Sequence, residues 1–184
     1  MARNKREIDR QAKQDAIVAA ARTAFLTAGY EGASMAQVAR AAGVAPNTLY
    51  WYFDDKDDLL IAVLEQRVGE ALRLRDDRIR TLPLAEQLIW LIDCFEEAKH
   101  LVQAVHARME ASARVREWHE RFHQMVDLLA TAELTARGLD PAQASAMATA
   151  GTFIVEGLLS HPHQPVQREQ VLRWLLRDVP DALL

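Results

Sequence analysis

The sequence predicts an all-α protein in two parts, and three observations carry that prediction. Apolar residues recur at spacings of three and four along most of the chain, the period of an amphipathic helix. No stretch shows the alternation of a half-buried strand. Glycine, proline and capping residues stand between the periodic stretches, where one helix must stop and the next begin. The expected division is a three-helix domain over residues 1–55, containing a helix-turn-helix, and a second helical domain over 56–184.

The elements follow in order. Ile17, Ala21, Ala24, Phe25 and Ala28 form the stripe of a first helix, with Gly29 where a left-handed C-cap belongs. In "GASMAQVARAAGV", Ser34 is a good N-cap and Gln37 completes a capping box. Met35, Val38, Ala39 and Ala42 then share one face of a short second helix, and Gly43 supplies the positive φ of a tight turn. Pro46 suits the first position of a third helix, whose Leu49 and Phe53 point inward. Asp55 can cap a fourth helix, with Asp57 and Asp58 at its positive end. Two short helices joined by a turn behind a longer one make a helix-turn-helix. Its outward side then carries Asn47, Thr48, Tyr50, Trp51 and Tyr52, side chains able to bond base edges, touch a thymine methyl or lie against a sugar-phosphate backbone. Leu49 and Phe53 already fill the inward face, so this much aromatic surface exceeds what the core needs.

Charge points the same way. The net charge of the 184 residues is −4. Residues 1–53 nevertheless hold seven basic groups (Arg3, Lys5, Arg6, Arg10, Lys13, Arg22, Arg40) against four acidic ones (Glu7, Asp9, Asp15, Glu31), a net of +3 that leaves −7 on the rest. A polyanion-facing end on an acidic body is the expectation, with a basic N-terminal arm. No apolar run reaches the ~18 residues of a membrane span, so no membrane partner is expected. The charged start lacks a signal peptide's apolar region. A single cysteine, Cys94, permits no internal disulfide and reads as core. These features predict a cytoplasmic protein.

The segments "AFLTAGYEGASMAQVARAAGV", "TLYWYF" and "DKDDLL" closely resemble the DNA-binding domain of TetR-type transcriptional regulators over about residues 14–64. Gly29, Tyr30, Ser34, Val38, Ala39, Gly43, Val44, Leu49, Tyr50, Phe53, Lys56 and Leu59 fall on the pattern. The resemblance implies an all-helical homodimer with a ligand-binding second domain, usually a repressor. It implies base or sugar contacts from Asn47, Thr48, Trp51 and Tyr52 beside Pro46, and phosphate contacts from Ser34, Tyr50 and Lys56. One position departs from the pattern. Where the family commonly has a serine or threonine to cap the third helix, this chain has Ala45, a cap poorer by ~0.5–2 kcal/mol.

Beyond about residue 80 only periodicity speaks. Leu84, Leu88, Leu91, Ile92 and Phe95 read as one helix, and Leu101, Val105 and Met109 as a shorter one. A long helix runs from Ala111 to Arg137, and Gly138 stops it. Pro141 opens another, with Ala144, Ala148, Gly151, Val155 and Leu158 on one face. A last helix follows the loop "SHPHQP", with Val171, Leu172, Trp174 and Leu175. The small-residue face motivates a dimer interface through helices at about 141–160 and 168–177, including Leu172, Trp174 and Leu175. Trp90, Phe95, Met109, Trp118, Phe122 and Phe153, with His119 at the edge, are candidates to line a pocket for a small, largely hydrophobic effector.

The long helix also contains His119-Glu120-Arg121-Phe122-His123, an H-E-x-x-H. On a helix this spacing sets two imidazoles one turn apart, the arrangement of a zinc hydrolase. Metal binding needs a third ligand. The extended metzincin pattern fails, because Val126 and Leu129 stand where it needs glycine and histidine; Glu133 and Glu156 have no flanking pattern to recommend either. The expectation is therefore no bound metal, no cofactor and no enzyme activity. The predicted protein is a regulator released from a palindromic double-stranded DNA operator by its effector. The competing classes are a zinc-dependent hydrolase at 119–123 and an effector-independent DNA-binding protein.

Overall fold

The computed structural model describes residues 2–161 and 164–180, and for residues 2–6 and 160 the backbone alone. Among the described residues the chain forms α1 (Ala2–Gly32), α2 (Met35–Ala41), α3 (Pro46–Tyr50), α4 (Lys56–Leu74), a π-helical turn (Arg75–Ile79), α5 (Leu84–Glu97), α6 (Lys99–Arg108), α7 (Ala113–Ala136), α8 (Pro141–Ser160) and α9 (Pro165–Leu175). The all-α expectation holds. The helices fall into two units, residues 1–70 with 98–118, and residues 71–97 with 119–184. Thus α6 and the start of α7 join the helix-turn-helix in a unit larger than the segment 1–55. None of the described helices is long and apolar enough to cross a membrane.

In the first unit the core takes up most of the stripe read from the sequence, while Ala28 is exposed and Ala24, Met35 and Ala42 are half-buried. Ile17, Ala21 and Phe25 of α1, Val38 and Ala39 of α2, Leu49 of α3 and Leu59, Leu60 and Val63 of α4 are buried. Leu101 and Val105 of α6 and Val115 of α7 complete it. Burying side chains of this size is worth about 1.5–3 kcal/mol each before the entropy of ordering them is subtracted.

One feature of α1 differs from expectation and another follows it. The charged N-terminal stretch is helical from Ala2, so the basic arm is an extension of α1, exposed over residues 7–13; the side chains of Arg3, Lys5 and Arg6 lie outside the described residues. Gly29 interrupts the helix where a stop was expected: it adopts φ 71°, ψ 171°, a conformation that essentially only glycine tolerates, and a short helical stretch follows to Gly32. The carbonyls freed near this break are taken by Lys56, whose ammonium donates to Tyr30 O at 2.8 Å and Ala33 O at 3.2 Å. The Lys56 Nζ also lies 4.0 Å from the centre of the Tyr30 ring.

In the second unit Leu84, Leu134, Ala144, Ala148, Leu176 and Val179 make one buried cluster. The turn before α5 is held by buried Gln87, whose amide donates to Arg80 O at 3.2 Å and Leu82 O at 2.8 Å. Arg168 of α9 reaches Asp93 of α5 at 2.7 Å. α7 and α8 form an antiparallel hairpin. Gly138 (φ 100°) ends the first, and Asp140 caps the second by accepting from the N–H groups of Ala142 and Gln143. Thr152 of α8 donates to Asp127 of α7 at 3.3 Å, which pins the register.

This packing corrects part of the expected dimer interface. Ala144 is 0% exposed, Ala148 5% and Leu172 1% within the single chain, so they have no surface left for a partner. A Cβ on Gly151 would sit 3.8 Å from Leu175 of the same chain. Small residues did mark a close approach, but between helices of the same chain. Val155, Leu158 and Leu175 are half-buried, while Trp174 is exposed.

Candidate nucleic-acid interface

The surface built by α2, the turn and α3 follows from local chemistry. Ser34 accepts from the Gln37 N–H at 3.3 Å, and its own N–H donates to the Gln37 side chain at 2.9 Å, the reciprocal capping box. Gly43, at φ 68°, makes the turn, and the Val44 N–H closes it on Ala39 O at 2.9 Å. Ala45 precedes α3 with extended backbone and no side-chain cap; Pro46 at the first helical position pre-sets φ and has no N–H to orphan. Leu49 and Phe53 lock the helix to the core.

That anchoring decides what faces outward. Pro46 and Asn47 are exposed, and Thr48 and Tyr52 half-buried. Tyr50 is 52% exposed and Trp51 74%. Trp51 and Tyr52 meet edge to face with ring centres 6.1 Å apart. The Arg10 guanidinium of α1 lies 5.5 Å from the centre of the Trp51 ring and adds a cation to this surface. Ser34 and Lys56 are placed differently from the others. The Ser34 hydroxyl already donates to Gln37 Oε1 at 2.9 Å, and the Lys56 ammonium is turned to two backbone carbonyls. A phosphate at either must share or replace these partners.

Beneath this surface lies an ionic cluster absent from the sequence reading. Asp57 is buried, accepting from Arg108 Nε at 3.1 Å and Nη2 at 2.9 Å, and from the Tyr30 hydroxyl. Burial opposes its charge, but bonds from Arg108, Tyr30 and Ser112 outweigh it and hold the carboxyl below its usual range. Burial and the bond to Asp57 push the Tyr30 phenol well above its ordinary value. Arg114 of α7 pairs with both Asp55 and Asp58. Local pattern identifies the aspartates as helix-start residues; nothing in it points fifty residues ahead to their arginines.

The pocket candidates are divided between the two units. Met109 and Trp118 belong to the first unit, Trp118 being buried there. Trp90, Phe95, His119 and Phe122, all half-buried, belong to the second. Phe95 and Phe122 meet edge to face at 6.2 Å. Phe153 is 67% exposed on α8, which corrects its assignment as a pocket wall. Within the H-E-x-x-H, His119 Nε2 and His123 Nε2 are 3.0 Å apart, and Glu120 is exposed. Glu156 Oε1 of α8 lies 3.3 Å from His123 Nε2, whereas Glu133 is taken by Arg75 at 3.1 Å and Arg137 at 3.0 Å.

The fold and this surface define an all-helical protein of the helix-turn-helix class. Residues 17–63 match the family model described as "Bacterial regulatory proteins, tetR family". The "Fatty acid metabolism regulator protein" of Bacillus subtilis (strain 168) is 30% identical over 64 residues, 35% of this chain and 33% of that protein. The "HTH-type transcriptional regulator RutR" of Escherichia coli (strain K12) is 44% identical over 55 residues, 30% of this chain and 26% of that protein. The chain thus matches a third or less of the length of these relatives. Likeness in fold extends further. A transcriptional regulator from Rhodococcus sp. Rha1 aligns with a TM-score of 0.72 at 21% identity, over 90% of this chain and 94% of that one. NalD, the secondary repressor of the MexAB-OprM multidrug efflux pump in Pseudomonas aeruginosa, aligns at 0.59 and 25% identity, over 94% and 98%. The resemblance read from the motifs stands, and its helical expectation extends along the chain.

Proposed function

We propose that this protein is a DNA-binding transcriptional regulator, a repressor released from a palindromic operator by a small molecule. The observation that carries the reading is the division of residues 46–53: Leu49 and Phe53 are buried, while Asn47, Tyr50 and Trp51 face solvent directly after a glycine turn. A five-residue helix has no packing need for that much exposed aromatic surface. The tetR-family match over 17–63 supports the same reading. In it, residues 1–55 enter the major groove with α3, and 56–184 bind effector and dimerise. Two copies read half-sites about one helical turn, or a multiple of it, apart. An effector changes operator affinity only if it binds the two arrangements of the reading heads unequally.

The dimer is assigned to the outer faces of α8 and α9, where Phe153 and Trp174 are exposed. The protein acts in the cytoplasm by binding and not as an enzyme. Selection of duplexes from a random pool by the full-length chain, followed by anisotropy titration, tests the reading. Enrichment of a two-fold symmetric sequence supports it; indifference to duplex sequence overturns it. Specific binding that no small molecule alters would leave an effector-independent DNA-binding protein.

A further inference from the structure

We infer that His119, His123 and Glu156 form a binding site for a divalent first-row transition-metal ion. The inference is independent of the DNA-binding reading. Spacing alone sets the two histidines one turn apart on α7, and the fold decides between the two acidic candidates for a third ligand, since Glu133 is paired with Arg75 and Arg137 while Glu156 reaches His123. Gly138 and Asp140 fold α8 back along α7, and the Thr152–Asp127 bond fixes the register one turn further along. That register carries Glu156 to His123. Glu156 is the sole charged residue among the 20 of α8, and it lies against the two imidazoles.

The distances suit a shared cation. Bonds of ~2.0–2.1 Å from one ion to imidazole nitrogen or carboxylate oxygen set neighbouring ligand atoms ~3.0–3.4 Å apart. The Nε2 atoms of His119 and His123 are 3.0 Å apart, and Glu156 Oε1 is 3.3 Å from His123 Nε2. Ligand atoms of His119 and Glu156 lie within 4.8 Å of one another. Hydrogen bonding serves this trio poorly. The Nε2 of an uncharged imidazole offers either one hydrogen or one lone pair, yet that of His123 faces both an imidazole nitrogen and a carboxylate oxygen. A cation satisfies all three lone pairs at once. Two imidazoles with one carboxylate suit Zn2+, Ni2+ or Co2+ better than Ca2+ or Mg2+, which favour all-oxygen sites. The His123 side chain is 27% exposed and that of Glu156 40%, so an ion can enter and a further position stays open to water or an anionic ligand. Glu120, the motif's own acid, is exposed and has no part in the site.

Zinc titration of the chelator-dialysed full-length protein tests this, with Co2+ absorption as a second readout of coordination. The expected result is one ion per chain. His123→Ala and Glu156→Gln should each weaken zinc binding by ~100-fold or more, since even partners outside a metal's own ligand set cost 10–100-fold. Glu120→Gln and Cys94→Ser should bind as wild type. Circular dichroism shows whether each variant keeps its helices, and His119→Ala replaces one that does not. The absence of stoichiometric uptake by the wild type overturns the inference without recourse to any variant. Uptake unchanged in folded His123→Ala and Glu156→Gln overturns it too, by moving the metal elsewhere.

Discussion

Asp57 does two jobs that its position at a helix start conceals. It lies in the first turn of α4, where a carboxylate favours the helix dipole, and it also joins α1 to α6 through Tyr30 and Arg108. Replacing it with asparagine removes the charge that pairs with Arg108 and turns one of the two acceptor oxygens into an NH2 donor. The expected cost is about 1.5–3 kcal/mol, kept moderate because the Arg108 side chain is 29% exposed, and read as a lower urea midpoint at unchanged slope. The same carboxylate sets an acid limit. Its folded pKa is depressed, so its contribution is present above the unfolded value near 3.8 and lost as pH falls through the lower folded value. Urea midpoints of wild type should therefore drop more steeply below about pH 4 than those of Asp57→Asn; parallel curves would remove Asp57 from that role. On the outer surface, Asn47→Ala or Thr48→Ala should erode discrimination between operator variants by ~1–3 kcal/mol where a bidentate contact is lost. Discrimination as sharp as wild type in both would reassign the reading helix.

At the scale of elements, α3 is the weakest link and the easiest to improve. It has five residues, no side-chain cap at Ala45, and is held by Pro46, Leu49 and Phe53. Ala45 already has the extended backbone of a cap residue, at φ −67° and ψ 147°. Ala45→Ser should therefore stabilise the first unit by about 0.5–1 kcal/mol, seen as a higher melting temperature. The break in α1 has the opposite sensitivity. A Cβ on Gly29 would meet nothing within 4 Å, so Gly29→Ala costs only backbone strain, about 1–3 kcal/mol. A melting temperature unchanged by Gly29→Ala would mean the kink relaxes freely. The helices themselves were legible in the sequence because caps and glycine turns act within four residues. The Ser34–Gln37 box and the Gly43 turn form as their spacing predicts.

At the scale of the whole molecule, association and DNA binding carry separate signatures. Phe153→Ser with Trp174→Ser removes the two large exposed side chains of α8 and α9 and should weaken the dimer, with helicity retained. Ala148→Leu forces bulk into a cluster that is already filled and should lower the melting temperature instead. Sedimentation and thermal melts distinguish the two; an unaltered dimer in the double variant would move the interface elsewhere. Operator affinity should fall linearly with log salt, with a slope of about −0.9 for each phosphate neutralised. Arg10, beside Trp51, should contribute one such increment, so Arg10→Ala should make the slope shallower by about one.

Period, caps and turns sufficed to determine the helices, the helix-turn-helix and the side of α3 that faces outward, since each depends on residues within about one or two turns of each other. The tertiary structure decided which distant groups meet. Small residues on α8 announced a close approach without naming the partner, and the partner proved to be the chain's own core. Asp57 announced a helix start, and its arginine came from α6. His119 and His123 announced half of a metal site, and Glu156 arrived only through the α7–α8 hairpin. Local chemistry is set by neighbours in sequence. Long-range pairing depends on register and on competition for each polar group, and packing resolves both only when the chain folds.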